Sequence, residues 1–145
     1  MPRQTKQVFE TILVAYDGSP QAQRATDLAF SLAEAMGSSV LVFAVIRPPE
    51  PASRVELNAV LEEAREHYEQ SFISLRQQAK LKGVELETDI AVGHPAEQIV
   101  HRAERANISL IVMGRRGMSI FHRWMLGSIS ERVLRYAHCP VMVVH

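Results

Sequence analysis

Five short stretches of mostly apolar residues recur along the chain and predict β-strands. They are rich in valine and isoleucine, and they occupy residues 11–16, 38–46, 84–93, 108–114 and 139–145. Nearly continuous apolar runs are typical of strands that are buried on both faces, as in a parallel sheet. The run at 84–93 alternates more between apolar and polar residues, which indicates an edge strand with one face in water.

Helical patterns fill the four intervals between these strands. Their apolar residues recur at three-to-four spacing, and in the first helix this stripe consists of Ala22, Ala25, Leu28, Ala29, Leu32 and Met36. The start and stop signals are serines, prolines and glycines, the residue types favoured at helix ends. The predicted starts are Ser19 with Pro20, the end of the proline-rich residues 47–53, Pro95 and Ser128, and the first two helices end near Gly37 and Gly83.

The alternation of strands and helices predicts an α/β fold with a parallel sheet and helices on both faces. Each crossover between parallel strands is right-handed and needs a helix to return the chain. Ligands in such sheets bind outside the carboxyl ends of the strands, where the strand order reverses. If strands one and four are neighbours, residues 15–20 ("AYDGSP") and 113–118 ("MGRRGM") meet at that point.

Composition and charge narrow the class of protein. A chain of 145 residues fits a single domain over 1–145, and 47% hydrophobic with 22% charged residues is typical of soluble globular proteins. The formal net charge of zero gives no support to nucleic-acid binding. The single Cys139 excludes an internal disulfide, and no long apolar run predicts a membrane span, so we expect a cytoplasmic protein.

The stretch "VMGRRGMSIFHRWMLGSIS" at 112–130 carries the candidate chemistry. Its glycines at 114, 117 and 127 would let backbone amides approach an anion, and a helix N-terminus follows them. Taken singly, each glycine is as easily a turn residue. Ser128 and Glu131 also have the spacing of a capping box, which needs no ligand. The residues therefore leave phosphate binding and a turn with a capped helix both open.

The spacing Gly114-x2-Gly117-x9-Gly127-Ser128 resembles the nucleotide-binding pattern of the ATP-binding branch of the universal stress protein family. The similarity extends over "TILVAYDGSPQAQRATDLA", "GHPAEQIV" and the C-terminal third of the chain. The resemblance implies a Rossmann-like, five-stranded parallel sheet of order 3-2-1-4-5. It also implies dimers, and ATP as the ligand.

The same resemblance assigns site residues to this chain. Asp17 would reach the ribose or phosphates, the Val45 backbone would read the adenine edge, and Arg115 would lie near the triphosphate. The phosphates would be held by glycine amides and serine hydroxyls. The full implied set is Ala15, Asp17, Val45, Met113, Gly114, Arg115, Gly117, Gly127, Ser128, Ile129 and Ser130, with Mg²⁺ carried on the phosphates because no carboxylate cage for it is evident.

Several other residues have both a functional and a structural interpretation. Asp17 can also be a turn former that bonds its own backbone. His94 and His101 lack a third metal ligand, so we expect no metal site. His122 and Trp124 belong either to a flap over the nucleotide or to a helical turn packed on the domain. Cys139 has no neighbouring base in the sequence and is expected to fill space as a small apolar residue.

Three classes of function remain: a nucleotide-dependent regulatory or stress-response protein, a slow ATP hydrolase, and an interaction module that binds no nucleotide. A Walker A loop is absent, and no catalytic residue is evident, so dedicated turnover is not expected. The intact glycine pattern favours the regulatory protein. The last strand is apolar from residue 141 to 144 and lacks the charges that protect a free edge, which predicts a homodimer through this strand.

Overall fold

The computed structural model describes residues 8–50, 53–115 and 126–145. It contains five strands and four helices in strict alternation, as predicted. In chain order they are β1 (Thr11–Ala15), α1 (Pro20–Met36), β2 (Ser39–Ile46), α2 (Arg54–Lys82), β3 (Leu86–Val92), α3 (Pro95–Arg105), β4 (Leu110–Gly114), α4 (Ser128–Tyr136) and β5 (Val141–Val144).

The strands form one parallel sheet in the order β3-β2-β1-β4-β5, which confirms the predicted topology. β1 is the central strand because the chain first builds outward to β3 and then returns to β4 on the other side. This reversal is the switch point at which ligands bind in doubly wound sheets. The predicted meeting of the segments after β1 and β4 is also confirmed, since Ala15 pairs with Met113.

Two apolar cores cover the two faces of the sheet. On one face, α1 and α2 pack through residues such as Phe30, Phe72 and Leu75. On the other, α3 and α4 pack through Ile99 and Val133. Successive side chains of β1 therefore enter opposite cores, and the apolar run that predicted this strand is buried on both sides.

Helix α1 buries most of its predicted stripe, since Ala22, Ala25 and Ala29 are buried and Leu32 packs against the core. Leu28 is the exception and is 37% exposed. Small side chains let the helix backbone approach the sheet closely, so the alanine row faces the core and Leu28 is turned outward. Helix α2 is also buried unevenly, because all three of its buried residues, Phe72, Leu75 and Ala79, lie in its second half.

The helix ends follow the sequence signals at α1 and α2. The Ser19 Oγ accepts from the Ala22 N–H at 3.1 Å, and Gly37 ends α1 in the left-handed region at φ 70°. At α2, Ser53 and Glu56 form a capping box that the sequence analysis did not single out. In the described ranges, no helix has both the length and the apolar character required to cross a bilayer.

Candidate functional site

A cavity of about 370 Å³ opens at the carboxyl ends of β1, β2 and β4. Its floor is formed where Ala15, Phe43 and Met113 lie side by side on adjacent strands. Helix α3 contributes Pro95 and Ile99 to the lining. The cavity therefore lies at the switch point that the strand order creates.

Three aromatic side chains, one directly after β1 and two on α2, pack together at the wall of the cavity. Tyr16, directly after β1, has its ring centroid 6.3 Å from that of Tyr68 and 6.2 Å from that of Phe72. Tyr68 and Phe72 stack at 6.2 Å on α2. Because Phe72 is buried in the core, it fixes the two tyrosines that line the cavity.

The loop after β1 contributes Asp17 and Ser19 to the cavity. One oxygen of Asp17, Oδ1, accepts from the Ser19 N–H at 3.0 Å, so Asp17 is the turn former that its sequence context suggested. It also lines the cavity, so the turn places the carboxylate beside any ligand. Gly18 between them has φ 80°, a conformation that favours glycine.

Gly114 ends β4 in a very narrow space against α1. A Cβ at this position would lie 2.6 Å from the carbonyl carbon and 2.8 Å from the carbonyl oxygen of Gln21. These distances are far below van der Waals contact, and the atoms belong to the backbone. Glycine is therefore required here by close approach of β4 to the first turn of α1.

Gly127 is the N-cap of α4, and the helix itself begins at Ser128. The capping box predicted for Ser128 and Glu131 is therefore wrong. The Glu131 N–H donates to the Gly127 carbonyl at 3.0 Å, which is an ordinary first helical bond, and the N-cap Gly127 has no side chain that could cap this end. Since Gly127 has φ −62°, its backbone conformation is open to any residue, and left-handed strain does not explain the glycine.

The exposed first turn of α4 gives the cavity its anion-binding character. The N–H groups of residues 128–130 have no acceptor within the helix, and the helix dipole adds partial positive charge. Ser128 is exposed and Ser130 is buried, and both line the cavity with Ile129 between them. The first turn of α4 and Gly114 thus line the same cavity.

Nine of the eleven residues in the implied set line the cavity: Ala15, Asp17, Val45, Met113, Gly114, Gly127, Ser128, Ile129 and Ser130. Arg115 is not among the lining residues; its guanidinium Nη1 lies 3.3 Å from Nδ1 of His145, beyond the end of β5. Gly117 lies outside the described residues, and so do His122 and Trp124.

The structure adds lining residues that the sequence did not single out: Tyr16, Ser19, Ala22, Phe43, Arg47, Tyr68, Pro95 and Ile99. Phe43 and Arg47 could have been predicted from the sequence, because they lie on either side of Val45 near the end of β2, at the ligand-binding edge of the sheet. Among the described lining residues, Asp17 and Arg47 carry the charges. Tyr68 lies in the middle of α2, and no local sequence signal distinguished it.

The remaining candidate residues, His94, His101 and Cys139, are not lining residues of the cavity. His94 is the N-cap of α3 and lies outside the helix, whereas His101 lies on an exposed helix face. In residues 8–50, 53–115 and 126–145, no group of three His, Cys, Asp or Glu side chains could hold a metal ion. Cys139 is partly buried against the core that α3 and α4 share. Burial raises the pKa of the Cys139 thiol, which keeps it in the less reactive protonated form.

Comparison with known proteins identifies the family of this chain. Residues 9–145 match the sequence signature of the Universal stress protein family. Universal stress protein YxiE of Bacillus subtilis is 33% identical over 147 aligned positions, which cover 94% of this chain and 99% of the relative.

Solved structures show the same fold. Universal stress protein UspA from Lactobacillus plantarum superposes with a TM-score of 0.85 at 26% identity, covering 94% of this chain and 97% of its own. A universal stress protein in complex with cAMP superposes with a TM-score of 0.67 at 26% identity, covering 95% and 98%. With the 3-2-1-4-5 sheet and this match over nearly its whole length, the chain belongs to the universal stress protein family.

Proposed function

We propose that the cavity binds an adenine nucleotide, namely ATP with Mg²⁺ carried on its phosphates. The observation that carries this proposal is the convergence of Gly114, Gly127 and the first turn of α4 on one cavity at the switch point of the sheet. A helix N-terminus whose N-cap is glycine is suited to phosphate, because its first amides can donate to an anion and the N-cap has no side chain in the way. The volume of about 370 Å³ lies within the usual range for small-molecule sites.

The apolar end of the cavity suits a nucleobase. Val45 and Ile99 offer aliphatic surface, and the Val45 backbone near the end of β2 would read the edge of adenine. Asp17, in the loop after β1, would lie with the ribose or phosphates. The related universal stress protein in complex with cAMP supports an adenine nucleotide as the ligand class.

The proposed role is regulatory or stress-responsive rather than that of a dedicated enzyme. Hydrolysis of ATP requires a group that orients an attacking water beside the terminal phosphate. The carboxylate that lines the described part of the cavity, Asp17, is engaged by the Ser19 N–H in its own turn. Nucleotide occupancy would then act by changing the shape or partners of the protein, in the cytoplasm, where ATP is abundant.

The decisive experiment is to identify the nucleotide that the protein retains. Freshly purified protein is denatured, and the released small molecules are separated by chromatography and identified by mass spectrometry. We expect ATP in near-stoichiometric amount. If no nucleotide is released and calorimetric titration with ATP and Mg²⁺ shows no heat of binding, the alternative of an interaction module without nucleotide takes its place.

Ser128→Ala distinguishes phosphate binding from helix capping. Because Ser128 follows the N-cap and is exposed, its loss should change the free energy of unfolding by less than about 0.5 kcal/mol. Ser19→Ala removes a real cap and should cost about 0.5–2 kcal/mol. ATP affinity of Ser128→Ala should fall about tenfold, since a hydrogen bond to a charged phosphate is lost. Unchanged affinity in calorimetric titration would remove Ser128 from the site.

We also propose that the protein forms a homodimer through β5. This strand is at one edge of the sheet, and its four residues are only partly buried. Pairing with a second copy would satisfy its free backbone groups in a two-fold contact.

Val143→Lys should therefore give monomers in light scattering, because a lysine is desolvated at the centre of this contact. Val92→Lys is the matched control, since it places the same charge on β3 at the opposite edge and should leave the dimer intact. A folded Val143→Lys protein that stays dimeric would rule out this interface.

A further inference from the structure

The guanidinium of Arg115 is held at the end of β5. Its Nη1 atom lies 3.3 Å from the His145 Nδ1 atom, and the backbone N–H of Arg115 donates to the Val144 carbonyl at 2.7 Å. Arg115 directly follows Gly114, which lines the cavity, but Arg115 itself does not. A basic side chain one residue from the proposed phosphate site is thus engaged elsewhere.

A second arginine contacts the backbone of His145. The Nε atom of Arg24 donates to the His145 carbonyl at 2.9 Å. Arg24 lies on α1, about one turn beyond Gln21, whose backbone packs against Gly114. Within the described residues, the charged side chains that hydrogen-bond to His145 are therefore Arg24 from α1 and Arg115 from the end of β4.

The chemistry of the contact depends on the protonation of His145. A guanidinium only donates hydrogen bonds, so Nδ1 must be the acceptor. Nδ1 has a free lone pair only in the neutral imidazole that carries its proton on Nε2. Protonation at Nδ1 removes the acceptor and places a third positive charge beside two guanidinium groups. Histidine is the side chain that ordinarily changes charge between about pH 5 and 8.

We propose that neutral His145 withholds Arg115 from the nucleotide, and that acidification releases it, so that His145 sets how strongly the site prefers polyphosphate over monophosphate nucleotides. This inference rests on the proposed nucleotide-binding function. In this proposal, a monophosphate would lie inside the cavity against the first turn of α4. A longer phosphate chain would extend past Gly114 toward Arg115, which is not a lining residue.

The expected size of the effect follows from the energy of one exposed hydrogen bond. ATP must displace the Arg115–His145 contact before it gains Arg115 as a partner, and the lost contact subtracts from its affinity. A net contribution typical of such a bond corresponds to about a fivefold change in Kd. AMP does not reach Arg115 in this proposal, so its affinity does not include the cost of breaking the Arg115–His145 contact. Release of Arg115 should therefore raise the ATP to AMP affinity ratio about fivefold.

The test is calorimetric titration with ATP and with AMP at fixed Mg²⁺, at about pH 8 and about pH 5.5, on either side of the ordinary titration range of histidine. His145→Ala removes the acceptor at every pH. His145→Asn keeps a neutral oxygen acceptor that does not titrate. Because both nucleotides also take up protons in this range, the comparison is between proteins at the same pH.

At about pH 8, His145→Ala should bind ATP about fivefold more tightly than the parent and AMP equally well. At about pH 5.5, the parent should match His145→Ala for ATP, whereas His145→Asn stays weaker. In an Arg115→Ala background, His145→Ala should no longer change ATP affinity. In this double-mutant cycle, the interaction between the two side chains is already absent from the Arg115→Ala protein. Equal ATP affinities for parent and His145→Ala at the higher pH would overturn the proposal, and so would a gain that persists without Arg115.

Binding of AMP separates this inference from the proposed function. If the parent binds AMP and the His145 variants show no shift for ATP, the site stands and the role of His145 falls. If the parent binds neither nucleotide, both fall.

Discussion

Gly127→Val should reduce ATP affinity by about 100-fold or more while leaving the protein folded. The valine side chain would occupy the cavity in front of the α4 amides, and losing two hydrogen bonds to a charged phosphate accounts for a change of this size. Because Gly127 has φ −62°, the substitution introduces no left-handed strain. The cost in unfolding free energy should stay near 1 kcal/mol, which is the difference between a good and a poor N-cap residue.

Ser53→Val is the matched control for this experiment. It places the same side chain at the N-cap of α2, which is not part of the cavity lining. It should cost a similar amount of stability and leave ATP affinity unchanged. Calorimetry gives the affinities, and urea unfolding gives the stabilities. A folded Gly127→Val protein that binds ATP as tightly as the parent would refute phosphate binding at this helix. Gly117→Val is predicted to weaken ATP binding similarly.

Gly114→Ala should lower the free energy of unfolding by about 3 kcal/mol, the upper part of the range for an overpacked site. The added Cβ would lie 2.6 Å from the Gln21 carbonyl carbon and 2.7 Å from the Gln21 Cβ. Backbone atoms cannot rotate away as the end of a long side chain can, so α1 must shift away from β4. Denaturant unfolding followed by circular dichroism measures the loss.

Gly83→Ala provides the comparison for Gly114→Ala. Gly83 has φ +68°, and a Cβ there would meet no atom within 4 Å, so the alanine incurs only backbone strain of about 1 kcal/mol. Gly83→Ala therefore measures backbone strain without a clash, and Gly114→Ala measures a clash without left-handed strain. Equal losses in the two proteins would show that β4 and α1 have room to separate, and that close approach does not require glycine at 114.

The periodicity of apolar residues was sufficient to predict the elements. Val, Ile and Leu runs marked strands buried on both sides, and Ser19, Pro20 and Gly37 marked the ends of α1, because these are local properties of short segments. The burial of α1 was predicted less completely. The predicted stripe contained Leu28 as well as Ala22, Ala25 and Ala29, and only the packing of α1 on the sheet decided that the alanines are buried and Leu28 is exposed.

The two serines near helix starts in the cavity also show that a local sequence pattern does not fix the N-cap. Ser19 caps α1 as its context suggested, whereas Ser128 is one residue too late to cap α4, although Glu131 stands at the expected spacing. The letters S-x-x-E do not fix which residue is the N-cap, because the first helical hydrogen bond decides it. In α4 that bond goes to the Gly127 carbonyl, and the Ser128 hydroxyl is left for the cavity.

By itself, the sequence determined the order of elements and the class of a parallel sheet with helices on both faces, since both follow from local periodicity and the handedness of crossovers. The meeting of the segments after β1 and β4 required these strands to be neighbours, which the family resemblance implied and the structure shows. Only the tertiary structure decided which side chains share the cavity. Tyr68 reaches it from the middle of α2, through contacts with Tyr16 and Phe72. Arg115, adjacent to the cavity in sequence, is instead held by His145, 30 residues further along the chain. Contacts between residues far apart in the chain depend on the packing of whole elements, which no local pattern encodes.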